Sequence, residues 1–396
     1  MRNIIKSIQL QIPALLLTAS LTGAEEPSAQ GSSDDGRIER GKELFRQEFP
    51  KVHGNGRSCA TCHVPEEAFQ LTPQHVEARY QALQERRKKN PDADDPLFRS
   101  IDANDGDQDF TNLRQHALSR IILELPKDAN GQKLVWPVDD PDAAFVSVWR
   151  STPTILNTAF TAPYQMDGRQ PTLQAQALGA LVNHAEITTA PKPRLLDDVA
   201  AFEENKFSSH AVRHLAEALA SGQTPPPTDP PLNALEQQGK ALFEHHCVAC
   251  HGGPTQTVQA GFLPPFLDIR ISRPLPPFAA DLPFAPSPLT PRNWAFRVEG
   301  QAEPTIMAST DPGRALHTGS LLDLNAFDIP TLYGIAKTAP YFHDNSAETL
   351  EKVMRHYQLE FEGVRRVIPD FLEWPLRPDL ILDEQIAPIV AYLKKI

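Results

Sequence analysis

A mostly helical chain of two matching domains is what this sequence predicts, and three observations carry the prediction. Cys59-Ala60-Thr61-Cys62-His63 recurs as Cys247-Val248-Ala249-Cys250-His251, so all four cysteines fall in two C-x-x-C-H runs. Behind each run lies one copy of a longer repeat. Pro153-Thr154-Ile155-Leu156, Thr161-Ala162-Pro163-Tyr164, Asp167-Gly168 and Thr172-Leu173 are matched by Pro330-Thr331-Leu332-Tyr333, Thr338-Ala339-Pro340-Tyr341, Asp344-Asn345 and Thr349-Leu350. The offset is a constant 177, without a gap. Between the halves, Ser221-Gly222-Gln223-Thr224-Pro225-Pro226-Pro227 reads as a linker, because successive prolines cannot continue a helix.

Taken in order, residues 1–24 carry Arg2 and Lys6, an apolar stretch over 12–21 broken by Pro13, and small residues up to Ala24. That is a secretory signal peptide cleaved after Ala24, too short to span a bilayer. No cysteine lies near the cleavage point, so no lipid anchor is expected. Residues 25–36 are small and polar, a flexible leader. The first domain, 37–220, opens with a helix over 38–49 that runs through Gly41, Leu44 and Phe45 into the first motif. The second, 232–396, repeats the device over 233–246 with Gly239, Leu242 and Phe243, after a linker at 221–231. Helical runs at 195–202 and 210–220 close the first domain, and 384–395 closes the second. A long insertion, 65–149, holds a basic helix over 81–90 and an acidic run over 102–109. Charge runs of this kind are usually solvated faces, and the insertion as a whole is expected to offer a platform for a substrate or partner. The proline-rich stretch 254–291 is expected to be ordered loop.

The doubled motif sets the chemistry. In C-x-x-C-H each thiol can add to a vinyl group of haem, and the adjoining histidine reaches one face of the iron. A redox cysteine pair or half a zinc site leaves the histidine after both pairs unexplained, and zinc would need the two halves to converge. The fold expected is therefore mostly α, with two cytochrome c-like domains, each binding one covalently attached haem c, packed across a shared interface. Haem is attached to such motifs outside the cytoplasmic membrane, so a periplasmic address follows, with no cysteine left for disulfides. A length of 396 residues allows two cores. The formal charge of −12 disfavours a nucleic-acid partner, and beyond residue 24 no apolar run is long enough to cross a membrane.

The repeat also predicts an asymmetry. The helix after each Thr-Leu pair is placed to cover the iron face opposite the histidine. In the second copy that helix offers Met354, His356 and Tyr357; one repeat earlier, Ala177 and Ala180 stand where Met354 and Tyr357 do. One iron is expected to be capped and the other open.

These residues resemble the bacterial di-haem cytochrome c peroxidase superfamily, and its MauG branch in particular. The resemblance covers both haem motifs, the T-P-T-x-L-N and D-G-R runs of the first half and the A-P-Y-F-H-D run of the second. It implies a peroxide-reactive N-terminal haem and a C-terminal haem that relays electrons, the latter capped by tyrosine in the MauG branch. Counting seventeen residues on from the A-P-Y proline gives Tyr357. On the peroxide side the family's tryptophan, glutamine, proline and glutamate positions read Met166, Gln176, Ala180 and Glu186. The glutamine and glutamate match. The inter-haem tryptophan and the distal proline do not, and His184 stands beside the glutamate where the family has proline. The resemblance also implies calcium between the domains, held by the carbonyls of Thr338 and Pro340 with Asn157 or Ser151 as a side-chain donor.

The function expected is a periplasmic oxidoreductase that reduces hydrogen peroxide at the His63 haem. Its electrons come from a small redox protein or from a side chain of a protein substrate. The rival is a di-haem electron carrier or haem sensor without peroxide chemistry, suggested by Met166 and Ala180. Each distal residue has an ordinary reading too: Glu186 as a surface carboxylate, His184 as a solvent-facing imidazole, Tyr357 as a buried helix aromatic. Nothing in the sequence selects His75, His116 or His343.

Overall fold

The computed structural model describes residues 30–105, 109–258, 263–279, 287–367 and 378–396. The expected signal peptide and residues 25–29 of the leader lie outside the described residues. The first half runs α1 (Gln30–Arg46), α2 (Pro73–Lys89), α3 (Thr111–His116), strands β1 (Leu118–Glu124), β2 (Val135–Pro137) and β3 (Phe145–Ser151), then α4 (Leu173–Asn183), α5 (Pro193–Glu204) and α6 (His210–Ala220). The second half runs α7 (Ala234–His246), β4 (Phe266–Leu267), β5 (Arg292–Phe296), β6 (Thr305–Ser309), α8 (Ala315–Thr318), β7 (Phe327–Asp328), α9 (Leu350–Val367) and α10 (Asp383–Leu393). Helix dominates.

Local chemistry explains where the helices start. Asn233 caps α7 in a reciprocal box with Glu236: the Glu236 N–H donates to Asn233 Oδ1 at 3.0 Å and the Asn233 N–H to Glu236 Oε2 at 2.8 Å. Thr72 caps α2 by accepting from the His75 N–H, with Pro73 in the first turn. That helix therefore begins ahead of the expected 81–90, and it buries Val76 and Leu83. The expected leader is shortened from its other end, because α1 starts at Gln30 and takes in residues 30–36. It also ends at Arg46, before the expected 49.

Each half is built on the same helix crossing. A Cβ at Gly41 of α1 would stand 1.9 Å from the Asp198 carbonyl of α5 and 2.9 Å from the Phe202 Cβ. A Cβ at Gly239 of α7 would stand 1.9 Å from the Pro388 carbonyl of α10 and 3.0 Å from the Tyr392 Cβ. Only glycine permits this approach. Phe45, Ala177, Leu181, Val199 and Phe202 fill the core of the first half, and Phe243, Leu350, Met354, Ile389 and Tyr392 that of the second.

The two repeats meet through mated contacts. The Ser151 N–H donates to the His343 carbonyl at 2.6 Å, and the Asp328 N–H donates to the Met166 carbonyl at 2.8 Å. Ser151 and Asp328 are repeat mates, as are Met166 and His343, so the second bond is the first with the copies exchanged. That is the mark of a two-fold relation. Arg150 lies over the ring of Phe327, its own mate, at 5.4 Å. The loops agree in detail: Ala162-Pro163 and Ala339-Pro340 are both cis, and Gln165 and Phe342 have φ of 70° and 72°.

The seven short strands among the described residues were not anticipated by a mostly helical reading. Five of them mark where the insertion and the second half make a further core. Antiparallel β1 and β3 pair from Leu118↔Ser151 to Glu124↔Phe145, and β2 pairs with β5, which pairs with β6. Ile121, Val135, Val146 and Val148 of the insertion pack there with Trp294, Phe296 and Leu316. Residues 145–149, Phe-Val-Ser-Val-Trp, carry the alternation and β-branching that favour a strand. A strand of the first half thus completes a sheet of the second. No helix among the described residues is long and apolar enough to cross a membrane.

Candidate haem sites

Both motifs fold into the same tight turn. The His63 and Cys62 N–H groups donate to the Cys59 carbonyl at 2.9 and 3.2 Å, and the His251 and Cys250 N–H groups to the Cys247 carbonyl at 2.8 and 3.1 Å. The first turn follows α1 after a short loop. The second caps α7 directly, with Cys247 as its C-cap.

Each histidine is oriented by a carbonyl: His63 Nδ1 lies 3.1 Å from Phe69 O, and His251 Nδ1 lies 3.2 Å from Gln256 O. The Nε2 lone pair is the one left for a metal, the arrangement a ligating imidazole needs. Burial lowers both imidazoles, His251 to about 4, so each is neutral and able to ligate at pH 7. All four cysteines are free thiols, and burial pushes Cys247 up to about 12 and Cys250 to about 11. Cys59 and Cys62 are raised for the same reason. That is the opposite of a low-pKa redox cysteine. Among the described residues no three His, Cys, Asp or Glu side chains gather as a zinc site requires. The residues fit haem, which brings its own equatorial nitrogens and asks the chain for one imidazole and two thiols.

Around the second motif, Tyr357 of α9 is the residue the sequence singled out. Burial pushes its phenol up, and the Cys250 and Cys247 sulfurs, with Glu360, push it further. It therefore lies within electrostatic reach of both thiols of that motif, packed on the core that includes Cys247. His356, one residue earlier, turns the other way: its Nε2 lies 2.5 Å from the Ile269 carbonyl. Met354 is buried in the core.

Around the first motif the pattern differs. Gln176 and Ala180 lie a turn apart on α4, and both are part-buried. His184 is the C-cap of α4, its imidazole lowered to about 4 by burial, opposed by Asp102 and reinforced by Arg57, Arg169 and the His63 ring. His184 and His63 are thus within electrostatic reach of one another. Glu186 is exposed, with φ of 51°, and its Oε2 accepts from Asn55 Nδ2 at 2.8 Å. Met166 is part-buried at the contact between the repeats. Its mate His343 is buried and stacked on Phe327, ring centroids 4.1 Å apart at 13°.

The remaining expectations scatter. Asn157 is a clamp between the halves: its Nδ2 donates to the Tyr333 carbonyl at 2.9 Å, and its Oδ1 already accepts from the Ser208 N–H at 2.9 Å. Thr338 donates its hydroxyl to the Ile335 carbonyl at 3.1 Å, and Ser151 donates its own to the Phe342 carbonyl at 3.1 Å. His75 pairs with Glu67 at 3.1 Å. His116 meets the second repeat through its carbonyl, which accepts from Asn345 Nδ2 at 2.8 Å.

Sequence reasoning missed the buried charges. Arg150 donates to Asp311 at 2.6 Å and to Asp167 at 2.7 Å, and Arg169 also holds Asp167 at 2.8 Å. Burial alone would raise the Asp167 carboxyl, but the two guanidiniums hold it at about 2. Asp102, expected in a solvated acidic run, is fully buried against Arg57 at 2.7 Å. Glu203 of α5 is buried beside Cys59, its carboxyl pushed up to about 8 by burial and by Glu204. Reading the repeat at every position would have exposed Arg150, because its mate is Phe327.

Residues 36–221 match the family model for di-haem cytochrome c peroxidases. A cytochrome-c peroxidase, IdrP1, of Denitromonas iodatirespirans is 26% identical over 233 residues, covering 53% of this chain and 59% of that one. The methylamine utilization protein MauG of Methylophilus methylotrophus is 25% identical over 249 residues, covering 55% and 60%. The chain thus spans about three fifths of the length of these curated relatives. A solved MauG-like protein associated with microbial copper homeostasis aligns over 97% of this chain and 94% of its own, with 18% identity and a TM-score of 0.47.

Proposed function

We propose, from the match of residues 36–221 to the family model for di-haem cytochrome c peroxidases, that this protein is an oxidoreductase that reduces hydrogen peroxide in the periplasm at a haem ligated by His63. One observation carries the reading: Tyr357 lies within electrostatic reach of the thiols of the second motif, while its repeat mate Ala180 puts only a methyl group in the matching place. Cys59 and Cys62 would hold one haem by thioethers with His63 as ligand. Cys247 and Cys250 would hold the other, with His251 and Tyr357 as the residues offered to its iron. Each haem, when bound, supplies an iron that exchanges single electrons.

The chain's own residues do the rest. Peroxide must lose a proton from one oxygen and gain one on the other, and a positioned carboxylate lowers both costs. Asn55 occupies Oε2 of Glu186, which leaves Oε1 to take and return that proton. Gln176, on the α4 face that carries Ala180, orients the peroxide, and His184 contributes a neutral imidazole on the same side. Electrons enter from a small redox protein or from an oxidisable side chain of a protein substrate and cross between the repeats near Met166. Calcium held by the carbonyls of Thr338 and Pro340, with Asn157 or Ser151 as a side-chain donor, belongs to the same proposal as a structural ion.

Stopped-flow mixing of the di-haem protein with peroxide tests this. Wild type is expected to react, and Glu186→Gln to react about 10²-fold more slowly, the scale of a lost acid–base group. No reaction in wild type would make the protein an electron carrier instead.

A further inference from the structure

Two side chains on the approach to the first motif tie the 65–149 insertion to the turn that follows α4. We propose that this clasp, made by Asn55 and Arg57, sets the distal side of the His63 haem, so that the insertion is part of the peroxide site. The proposal rests on the reading above, in which the 184–186 turn faces the open iron.

Arg57 is 2% exposed and spends its guanidinium in two directions. Toward the insertion, Nε donates to the Pro96 carbonyl at 2.8 Å, Nη2 to the Leu97 carbonyl at 2.7 Å, and Nη2 pairs with Asp102 Oδ2 at 2.7 Å. Toward the turn, Nη1 donates to the His184 carbonyl at 3.3 Å. Asn55 grips the turn at three successive residues. Its N–H donates to the Ala185 carbonyl at 2.8 Å, and its Nδ2 donates to the His184 carbonyl at 3.0 Å and to Glu186 Oε2 at 2.8 Å. Asn55 is itself held from the insertion, because its carbonyl accepts from Arg99 Nε at 2.7 Å while Arg99 forks onto Asp94 at 2.7 and 2.8 Å. An unbroken line of hydrogen bonds therefore runs from Asp94, exposed on the insertion, to the Glu186 carboxylate.

The turn needs such a hold. Glu186 sits at φ of 51°, a left-handed conformation that costs a non-glycine residue about 1 kcal/mol or more and persists where surrounding contacts fix it. The bonds also converge on the residues that bear the chemistry: the backbone of His184 and the side chain of Glu186. Asn55 and Arg57 touch neither haem nor peroxide in this account. They are positioning residues.

The test uses the holoprotein with both haems attached. Asn55→Ala removes the grip on Glu186, and Asp94→Ala, on the exposed surface, loosens Arg99 without touching the core. Ferric EPR reads each haem separately, and azide titration reads the open face. Both variants are expected to alter the high-spin signal and to change azide affinity by about tenfold for Asn55→Ala, less for Asp94→Ala, the scale of an outer-shell change at a metal. The low-spin signal of the His251 haem should stay as in wild type. An unaltered high-spin signal in both variants, or equal changes at both haems, would overturn the clasp. Failure of wild type to bind azide at either haem would overturn the open-haem reading instead, and the EPR comparison would still judge the clasp.

Discussion

Asp167 and Asp344 occupy the same place in the two repeats, and their surroundings differ completely. Asp167 is held by Arg150 and Arg169. Asp344 has Phe327 and Ser346 at those mated positions; it is fully buried, and its Oδ2 lacks a hydrogen-bond partner among the described residues. The same divergence recurs at other mated positions: Ala180 against Tyr357, Met166 against His343. Aligned on the helix crossings, Glu203 of α5 stands against Leu393 of α10. What does not diverge is backbone: the glycine crossings, the cis-proline loops and the carbonyl that orients each histidine. The frame was kept because a haem-sized turn and a close helix crossing tolerate little change. On the proposed function the side chains part because one half would bind a small oxidant and the other would hold its iron closed.

Exchanging the residues that differ should break this contrast most strongly. Ala180→Tyr places on α4 the phenol that α9 carries at Tyr357. The prediction is a second low-spin haem in the ferric EPR spectrum and a loss of peroxide reactivity of about 10²-fold or more, because the open coordination position is filled. Tyr357→Phe should do the converse, replacing the low-spin signal of the His251 haem with another species. A low-spin signal indifferent to Tyr357→Phe would remove the phenol from the iron.

Changing what the halves share should hurt both alike. Gly41→Ala and Gly239→Ala each drive a methyl group against a carbonyl oxygen of the crossing helix, and an overpacked contact of this kind costs about 1–3 kcal/mol. Thermal unfolding of the two variants should show shifts of similar size. A large shift for one and none for the other would mean that the crossings do not bear on the two halves equally.

How much of this was legible follows from the same contrast. The motifs, the repeat and α7 could be read because turn chemistry, glycine spacing and capping are local in sequence. Tyr357 could be reached because the repeat offset converts one half into a template for the other. The Arg57–Asp102 pair, the Asn55 grip and the sheet joining β2 to β5 could not. They link residues distant in sequence, and an acidic run such as 102–109 looks solvated until a buried guanidinium is placed beside it. Glu203 was hidden for a different reason: on an amphipathic helix a carboxylate is normally outward, and only the close packing of α5 against α1 turns this one in.

That carboxylate gives the smallest and most specific test. Glu203 is 5% exposed, with its carboxyl pushed from 4.5 to about 8 by burial first and by Glu204 second. A raised pKa in the folded state means the unfolded chain gives up the proton more readily. The protonated carboxyl therefore costs nothing extra below about pH 4.5, and folded stability declines as pH rises from there through about 8, where the penalty levels off. The full penalty is on the order of 3–5 kcal/mol at about 1.4 kcal/mol per pKa unit. Glu203→Gln removes the ionisation and keeps the shape, and Glu203→Leu copies the second half. Both should melt at higher temperature than wild type at pH 9, with the gap closing as pH falls toward 5. At the matching place in the second half Leu393 carries no ionisable group, so that position contributes no slope. A gap between wild type and Glu203→Gln that stayed constant from pH 5 to 9 would show that the carboxyl ionises freely in the folded protein, and the contrast between Glu203 and Leu393 would then be one of packing alone.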